Sequence, residues 1–176
     1  MSIISILFVS FILSVVVSYL SLAILIPRLK RAGITGKDVN KSGKPEVAEM
    51  GGFGIIVGFC SAIFLVILAY SFGHISISLL SILAVVLTIL IVSYIGIIDD
   101  LISLPQWVKA ILPIFASVPI VALMAVGSTA ISIPFIGSID LGLIYLFVLV
   151  PIGITVASNL TNMLAGFNGM EAGMGI

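Results

Sequence analysis

A long uncharged run ends in two adjacent carboxylates in the stretch Ile95-Gly96-Ile97-Ile98-Asp99-Asp100. No Lys, Arg, Asp or Glu occurs between Met50 and this pair. If the run is a helix, both anions lie at its C-terminal end, where the helix dipole is already negative. Lys109, the only Lys or Arg after Lys44, lies near the start of the next apolar run, which is also the unfavourable helix end for its charge. These charges therefore make electrostatic sense together, or around a bound cation and phosphate.

The composition is that of an integral membrane protein. Of the 176 residues, 61% are hydrophobic and 8% are charged, and the mean hydropathy is +1.44. A soluble domain has roughly 45–50% apolar and about 25% charged residues. The single cysteine, Cys60, excludes an intrachain disulfide. The first apolar run has no basic segment before it and is too long for a cleaved signal peptide, so we predict that it is a retained span.

Five segments reach the length of about 20 apolar residues that a helix needs to cross a bilayer. We therefore predict an all-α polytopic membrane helix bundle with about five transmembrane helices, forming one domain over residues 1–176. The predicted spans are residues 4–26, 53–72, 77–98, 107–126 and 141–160.

The basic residues predict the orientation of these spans. Six of the seven Lys and Arg lie between the first and second spans, and Lys109 borders the joint between the third and fourth. If the spans alternate, all seven share one side, which the positive-inside rule assigns to the cytoplasm. The N-terminus is then outside, with His74 and Asp140 on external joints. The acidic pair, the basic loop and the polar stretch after the fifth span share the cytoplasmic face.

The loop from Lys37 to Gly52 mixes both charge signs with turn-forming residues. Its lysines suit a solvated loop that fixes the topology and contacts anionic lipid. Glu49 abuts the second span, where a purely topological loop needs only basic residues. A substrate-binding loop is therefore the second interpretation.

The joint after the acidic pair is predicted to be short. Ser103-Leu104-Pro105-Gln106 has the spacing of a helix capping box, with proline early in the helix. The fourth span would then begin close after the acids, and Asp99, Asp100 and Lys109 would be neighbours. The alternative is two surface acids and a lysine that extends to the membrane interface.

The fifth span ends in a polar pattern. Asn159 and Asn162 are spaced i, i+3 and share one helix face, with Thr155 one turn earlier. Because buried amides are costly unless they are bonded, we consider three roles: hydrogen bonds between helices, the lining of a watery cavity, or oxygen ligands for a hard cation such as Mg²⁺. Asn168-Gly169 suits a turn, and Gly166 would let a flat ring or a phosphate approach the backbone.

Together these stretches resemble the polyprenyl-phosphate N-acetylhexosamine-1-phosphate transferases of glycosyltransferase family 4, closest to their eukaryotic and archaeal branch. Three motifs carry the resemblance, in the right order and on one predicted membrane face. They are Asp38-Val39-Asn40-Lys41 with Pro45, Glu46 and Glu49; Asp99-Asp100 with Lys109 and Leu112-Pro113; and Asn159-Leu-Thr-Asn162-Met-Leu-Ala-Gly166-Phe-Asn168-Gly169-Met-Glu171.

The resemblance implies transfer of N-acetylglucosamine 1-phosphate from UDP-N-acetylglucosamine to a polyprenyl or dolichyl phosphate, with release of UMP. It implies a Mg²⁺ cofactor, for which Mn²⁺ can substitute, and Asn162 as its ligand. Lys109 would hold the lipid phosphate, while Asp99 and Asp100 would orient Lys109, contact the metal or accept a proton. The substrate-binding residues that it implies are Asp38, Val39, Glu49, Asn159, Gly166 and Asn168.

The chain departs from the family in length, because family members usually have about twice as many spans. We therefore predict an amino-terminal half that is inactive alone. Its predicted partners are UDP-N-acetylglucosamine, polyprenyl or dolichyl phosphate, the lipid bilayer, and a separate carboxy-terminal half or a second copy, with no nucleic acid. The alternatives are a non-catalytic half-length membrane protein and a small transporter subunit. Charges that cluster at one membrane face, with none at mid-span, disfavour the transporter.

Overall fold

A computed structural model describes residues 3–38, 41–73, 75–124, 129–134 and 137–164, with the side chains of 133 and 161–164 excepted. Contacts between residues divide the chain into two compact units, Met1–Leu79 and Leu80–Ile176.

Five helical segments within the described ranges are long and apolar enough to cross a membrane. The predicted all-α polytopic class is confirmed, and each segment lies within a few residues of its predicted span. Many of their large apolar side chains are exposed, as expected for helices that face lipid. The segments are Ile3–Arg31, Gly52–Ser71, Leu79–Ile102, Gln106–Met124 and Gly142–Leu160.

In the first unit, helices α1 (Ile3–Arg31) and α2 (Gly52–Ser71) pack against each other. Gly54 of α2 lies against Leu22, where an added Cβ would come within 2.7 Å of the Leu22 Cγ. Gly58 lies against Ser18 and the carbonyl oxygen of Ser14. Small residues at this G-x-x-x-G spacing let helices approach closely in lipid, where packing rather than exclusion of water drives association.

A two-stranded antiparallel hairpin connects α1 to α2. Strand β1 (Thr35–Lys37) pairs with β2 (Glu46–Ala48), with Gly36 opposite Val47. The Asp38 N–H donates to the carbonyl oxygen of Pro45 at 3.1 Å and extends the ladder toward the turn. The loop that the sequence indicates is therefore partly regular structure.

The second unit begins in the first turn of α3 (Leu79–Ile102). Beyond it the fourth span comprises α4 (Gln106–Ala116) and α5 (Val118–Met124), followed by the hairpin β3 (Ala130–Ile133) and β4 (Gly137–Asp140). The fifth span comprises α6 (Gly142–Ile144), a π-helical turn (Tyr145–Leu149) and α7 (Val150–Leu164). Helix α4 packs against α7.

The fourth span is broken at Ser117, between α4 and α5. Pro113 lies inside α4 and has no N–H to donate to the preceding turn. The Ser117 N–H and hydroxyl both donate to the carbonyl oxygen of Ile114, at 3.1 and 2.6 Å. Pro119 follows in the first turn of α5, where a helix tolerates proline.

Asp140 ties the second hairpin to the start of the fifth span. Its Oδ1 accepts hydrogen bonds from the Thr129 hydroxyl and from the Gly142 N–H. These two bonds, with Thr129 the stronger influence, hold the pKa of the Asp140 carboxyl below its ordinary value.

Candidate active site

The joint between α3 and α4 brings together two of the predicted catalytic residues. Lys109 Nζ lies 2.7 Å from Asp99 Oδ1. The two side chains are 23% and 17% exposed, so water and salt screen this ion pair less than they screen a surface pair. The predicted proximity of Asp99 and Lys109 is confirmed.

Backbone groups of the joint fix the Asp99 carboxylate. The Ser103 N–H donates to the Asp99 carbonyl oxygen at 2.8 Å, and the Leu104 N–H donates to Asp99 Oδ1 at 3.0 Å. Ser103 has a φ of +49°, in the left-handed region, and the chain turns there out of α3. A single carboxylate oxygen thus faces both a backbone donor and the Lys109 ammonium group.

The predicted capping box is wrong, although the short joint that it predicted is present. The residue that precedes α4 is Pro105, which offers no side-chain hydrogen bond to the helix. Ser103 instead follows the end of α3. The N–H groups of Val108 and Lys109 both donate to the Pro105 carbonyl oxygen, at 3.0 and 3.2 Å, so Lys109 lies in the first turn of α4.

Asp100 follows Asp99 in the last turns of α3, and its side chain is exposed. Mg²⁺ is usually held by one or two carboxylates together with substrate phosphates rather than by a complete protein cage. Within the described ranges no group of three or more His, Cys, Asp and Glu could hold a metal. The adjacent carboxylates Asp99 and Asp100 match the number that Mg²⁺ usually takes from a protein.

The first unit carries Asp38 and Glu49 on the β1–β2 hairpin. Asp38 is only 14% exposed and pairs with Lys41, whose Nζ lies 3.0 Å from Asp38 Oδ2. The exposed Glu49 side chain lies over Gly36, where an added Cβ would collide with Glu49 Oε1. The Glu49 N–H donates to the carbonyl oxygen of Ile34 at 3.3 Å. The hairpin therefore holds both carboxylates on hydrogen-bonded backbone.

On α7 the predicted polar face begins with Thr155 and Asn159. Asn159 Nδ2 donates to the carbonyl oxygen of Thr155 at 2.9 Å, so this amide bonds within its own helix. Thr155 Oγ1 is buried and has no hydrogen-bond partner in the described part of the chain. Asn162 lies one turn further along α7, and its side chain is outside the described residues.

An apolar groove of about 290 Å³ lies between α4 and the fifth span. The π-helical turn and the first turns of α7 supply most of its wall, and the Thr155 side chain belongs to the same wall. The lining residues are Ile114, Phe147, Val148, Pro151, Ile152, Thr155 and Val156.

Three predicted substrate-binding residues, Val39, Gly166 and Asn168, lie outside the described residues. The structure adds Gly36, which lies beneath Glu49 and was not singled out in the sequence, and it places Ser103, which was predicted to cap α4, at the end of α3 instead. A glycine between strand residues can indicate close approach of another group, so Gly36 left a signal in the sequence. Serine is not the usual residue in the left-handed region, so the positive φ of Ser103 could not be predicted from the sequence.

Comparison with known proteins gives the same family as the motifs. The family described as Glycosyl transferase family 4 matches residues 82–176, more than half of the chain, and this match includes the acidic pair, Lys109 and the polar stretch after Thr155.

Three relatives carry related names. A Saccharolobus solfataricus protein named, provisionally, as a UDP-N-acetylglucosamine–dolichyl-phosphate N-acetylglucosaminephosphotransferase is 40% identical over 93% of this chain and 49% of its own length. A Sulfolobus acidocaldarius protein with the same provisional name is 38% identical over 95% of this chain and 50% of its own. The Schizosaccharomyces pombe protein of that name is 32% identical over 92% of this chain and 44% of its own. The chain thus spans about half the length of these curated relatives, and it belongs to glycosyl transferase family 4.

Proposed function

We propose that this chain takes part in the transfer of N-acetylglucosamine 1-phosphate from UDP-N-acetylglucosamine to a polyprenyl phosphate such as dolichyl phosphate. The partly buried ion pair between Lys109 and Asp99 carries the proposal, because it holds a cation in place where two helices meet. The names of the relatives indicate the two substrates. We propose the cytoplasmic face for the reaction, with the N-terminus outside, because all seven Lys and Arg fall on one side if the spans alternate.

The reaction joins two polyanions. An oxygen of the polyprenyl phosphate attacks the phosphorus that carries the sugar; a new pyrophosphate bond forms, the bond to the other phosphorus breaks, and UMP leaves. Catalysis of such a step depends on positioning and on neutralisation of charge. Lysine binds phosphate as a compact point charge.

We assign Lys109 to the acceptor phosphate and Asp99 to the orientation of Lys109. Asp99 already accepts the Leu104 N–H, so its carboxylate presents a fixed partner to the lysine. Asp100 is exposed in the last turns of α3, and it would contact the metal or accept a proton.

Asp100, and by resemblance to the family Asn162, would supply oxygen donors that hold Mg²⁺ or Mn²⁺. The bound metal would withdraw negative charge from the phosphate oxygens.

The apolar groove suits the isoprenoid part of the acceptor. Its volume of about 290 Å³ would hold the isoprene units nearest the phosphate, and its wall is apolar except for Thr155. The nucleotide sugar is assigned, by resemblance, to Asp38, Val39 and Glu49 on the first hairpin and to Asn159, Gly166 and Asn168 at the end of the fifth span. The Asp38–Lys41 pair and the contact of Glu49 with Gly36 support an ordered binding loop over a purely solvated one.

UMP release from UDP-N-acetylglucosamine tests this proposal. The assay uses membranes that contain this chain fused to the part of the Saccharolobus solfataricus relative that the chain does not match, with the chain alone measured in parallel. Lys109→Met and Asp100→Asn are expected to lower kcat by about 10²–10³, the loss typical when one group that stabilises transition-state charge is removed. Lys30→Met, at the end of α1, is the matched control and should retain activity.

Two outcomes would contradict the proposal. If the fusion releases no UMP, the assigned reaction is wrong. If it does and Lys109→Met releases UMP as fast as the parent, the assignment of Lys109 to the acceptor phosphate is wrong.

A further inference from the structure

We infer that Ser103 is a positioning residue, whose left-handed backbone ends α3 and holds the Asp99 carboxylate against Lys109. The inference deepens the proposed function, and its consequence for catalysis rests on that proposal. The contact between Asp99 and Lys109 rests only on the geometry of the joint between α3 and α4.

The backbone of Ser103 is in the left-handed region. Its φ of +49° is one that residues with a Cβ rarely adopt, and glycine is the usual residue just beyond a helix end. Non-glycine residues in this region persist only where the surrounding structure requires them, and they cluster at functional sites. Contacts around Ser103, four positions after Asp99, must therefore stabilise this backbone conformation.

The hydrogen bonds made at this turn are contacts of this kind. The Ser103 N–H donates to the Asp99 carbonyl oxygen at 2.8 Å, which is the bond expected at a left-handed helix end. The next N–H, that of Leu104, donates at 3.0 Å to the Asp99 side chain. The Asp99 carboxylate is therefore part of the hydrogen bonding that ends α3, and the turn at Ser103 directs the Leu104 N–H toward it.

The other side of the joint fixes Lys109. Pro105 directly precedes α4, and its carbonyl oxygen accepts the Lys109 N–H at 3.2 Å. Asp99 and Lys109 are therefore each hydrogen-bonded to a joint of only three residues, and their side chains meet at 2.7 Å. A change in the turn at Ser103 should misplace the carboxylate while both helices remain.

The test measures the ion pair directly, in membranes that contain this chain. An amine-reactive reagent is applied, and modification of Lys109 is quantified by mass spectrometry relative to Lys30 of the same molecules. Asp99→Asn keeps an oxygen for the Leu104 N–H but removes the charge, so it should raise labelling of Lys109 several-fold. Ser103→Val, a β-branched residue that disfavours positive φ, should raise it to a similar extent.

Conservative variants separate positioning from general damage. Ser103→Gly and Ser103→Asn tolerate the left-handed backbone and should keep the parent labelling. Ser103→Thr is a milder β-branched change that gives the same test if Ser103→Val does not accumulate. Ser138→Val, at an exposed strand position, is the matched control for the serine-to-valine change and should leave Lys109 labelling unchanged.

A double variant tests whether the two residues act through one interaction. When Asp99→Asn has already freed Lys109, addition of Ser103→Val should cause no further rise. The inference is overturned if Ser103→Val and Ser103→Thr label as the parent does, or if the effects of Ser103→Val and Asp99→Asn multiply.

UMP release by the fusion protein distinguishes this inference from the proposed function. If the labelling follows the predicted series and the Ser103→Val fusion also has a raised KM for polyprenyl phosphate with an unchanged KM for UDP-N-acetylglucosamine, both stand. If the labelling follows the series but the kinetics do not change, Ser103 positions the pair and the assignment of the pair to the acceptor phosphate fails.

Discussion

Asp99 illustrates how a carboxylate can be stable at the C-terminal end of a helix. The dipole disfavours it there by about 0.3–1 kcal/mol. Asp99 accepts a hydrogen bond from the Leu104 N–H and faces Lys109, and hydrogen bonds to charged groups contribute about 1.5–3 kcal/mol each. Two local partners therefore outweigh the dipole. The unfavourable placement visible in the sequence was a correct indication that such partners exist.

Gly36 provides a prediction at the same scale. A Cβ at this position would collide with Glu49 Oε1, the end of a flexible side chain, so Gly36→Ala should displace the Glu49 carboxylate without unfolding the hairpin. If Glu49 binds the nucleotide sugar, the KM for UDP-N-acetylglucosamine should rise by about tenfold, which corresponds to about 1.4 kcal/mol. The measurement is UMP release by the fusion protein across a range of UDP-N-acetylglucosamine concentrations.

Gly52→Ala is the control for that variant, because an added Cβ there meets nothing within 4 Å. Its KM should match that of the parent. An unchanged KM in Gly36→Ala would show that the position of the Glu49 carboxylate does not matter for binding.

The helical elements were predictable because a bilayer imposes both their length and their apolar composition. Finer features of the same elements were not predictable by that route. A window of mean hydropathy cannot show the break at Ser117 or the π-helical turn Tyr145–Leu149, since these depend on which backbone groups find partners. The turn at Ser103 was misread for the same reason: its spacing matched a cap, but its backbone φ decided the structure.

The packing of α1 against α2 gives a prediction for these elements. At Gly58 an added Cβ would collide with Ser18 Oγ and lie 2.6 Å from the carbonyl oxygen of Ser14, which cannot move without shifting α1. Gly58→Ala should therefore destabilise the protein by about 1–3 kcal/mol, as overpacking usually does. Unfolding of the purified chain in mixed detergent micelles, followed by far-UV circular dichroism, measures the change.

Gly96→Ala is the matched control on α3, where a Cβ would meet nothing within 4 Å. It should leave stability unchanged or raise it by about 0.4–1 kcal/mol, because alanine restricts the unfolded chain. Equal stability of Gly58→Ala and Gly96→Ala would mean that the close approach of the two helices is not needed.

At the scale of the whole molecule, the sequence predicts which polar clusters share a membrane face. This prediction depends on the assumption that successive spans cross the membrane in alternating directions. The structure describes the ion pair Asp99–Lys109 in one unit and the hairpin with Asp38 and Glu49 in the other. Charge patterning could indicate both clusters because charged residues are rare in the chain and expensive within lipid. It could not indicate the backbone contacts that orient each carboxylate.

The proposed function therefore depends most on the predicted orientation of the spans in the membrane. In a Cys60→Ala background, which removes the single native thiol, Ser42→Cys and Ser138→Cys each place one cysteine at an exposed position of a hairpin. The experiment tests whether the spans alternate, which would put the two hairpins on opposite sides of the membrane. A membrane-impermeant maleimide should label Ser138→Cys on intact cells, and Ser42→Cys only after permeabilisation. Labelling of both cysteines from outside, or of Ser42→Cys alone, would place the first hairpin away from the cytoplasm. The nucleotide sugar could then not reach Glu49, and the assignment of the β1–β2 hairpin to that substrate would have to be abandoned.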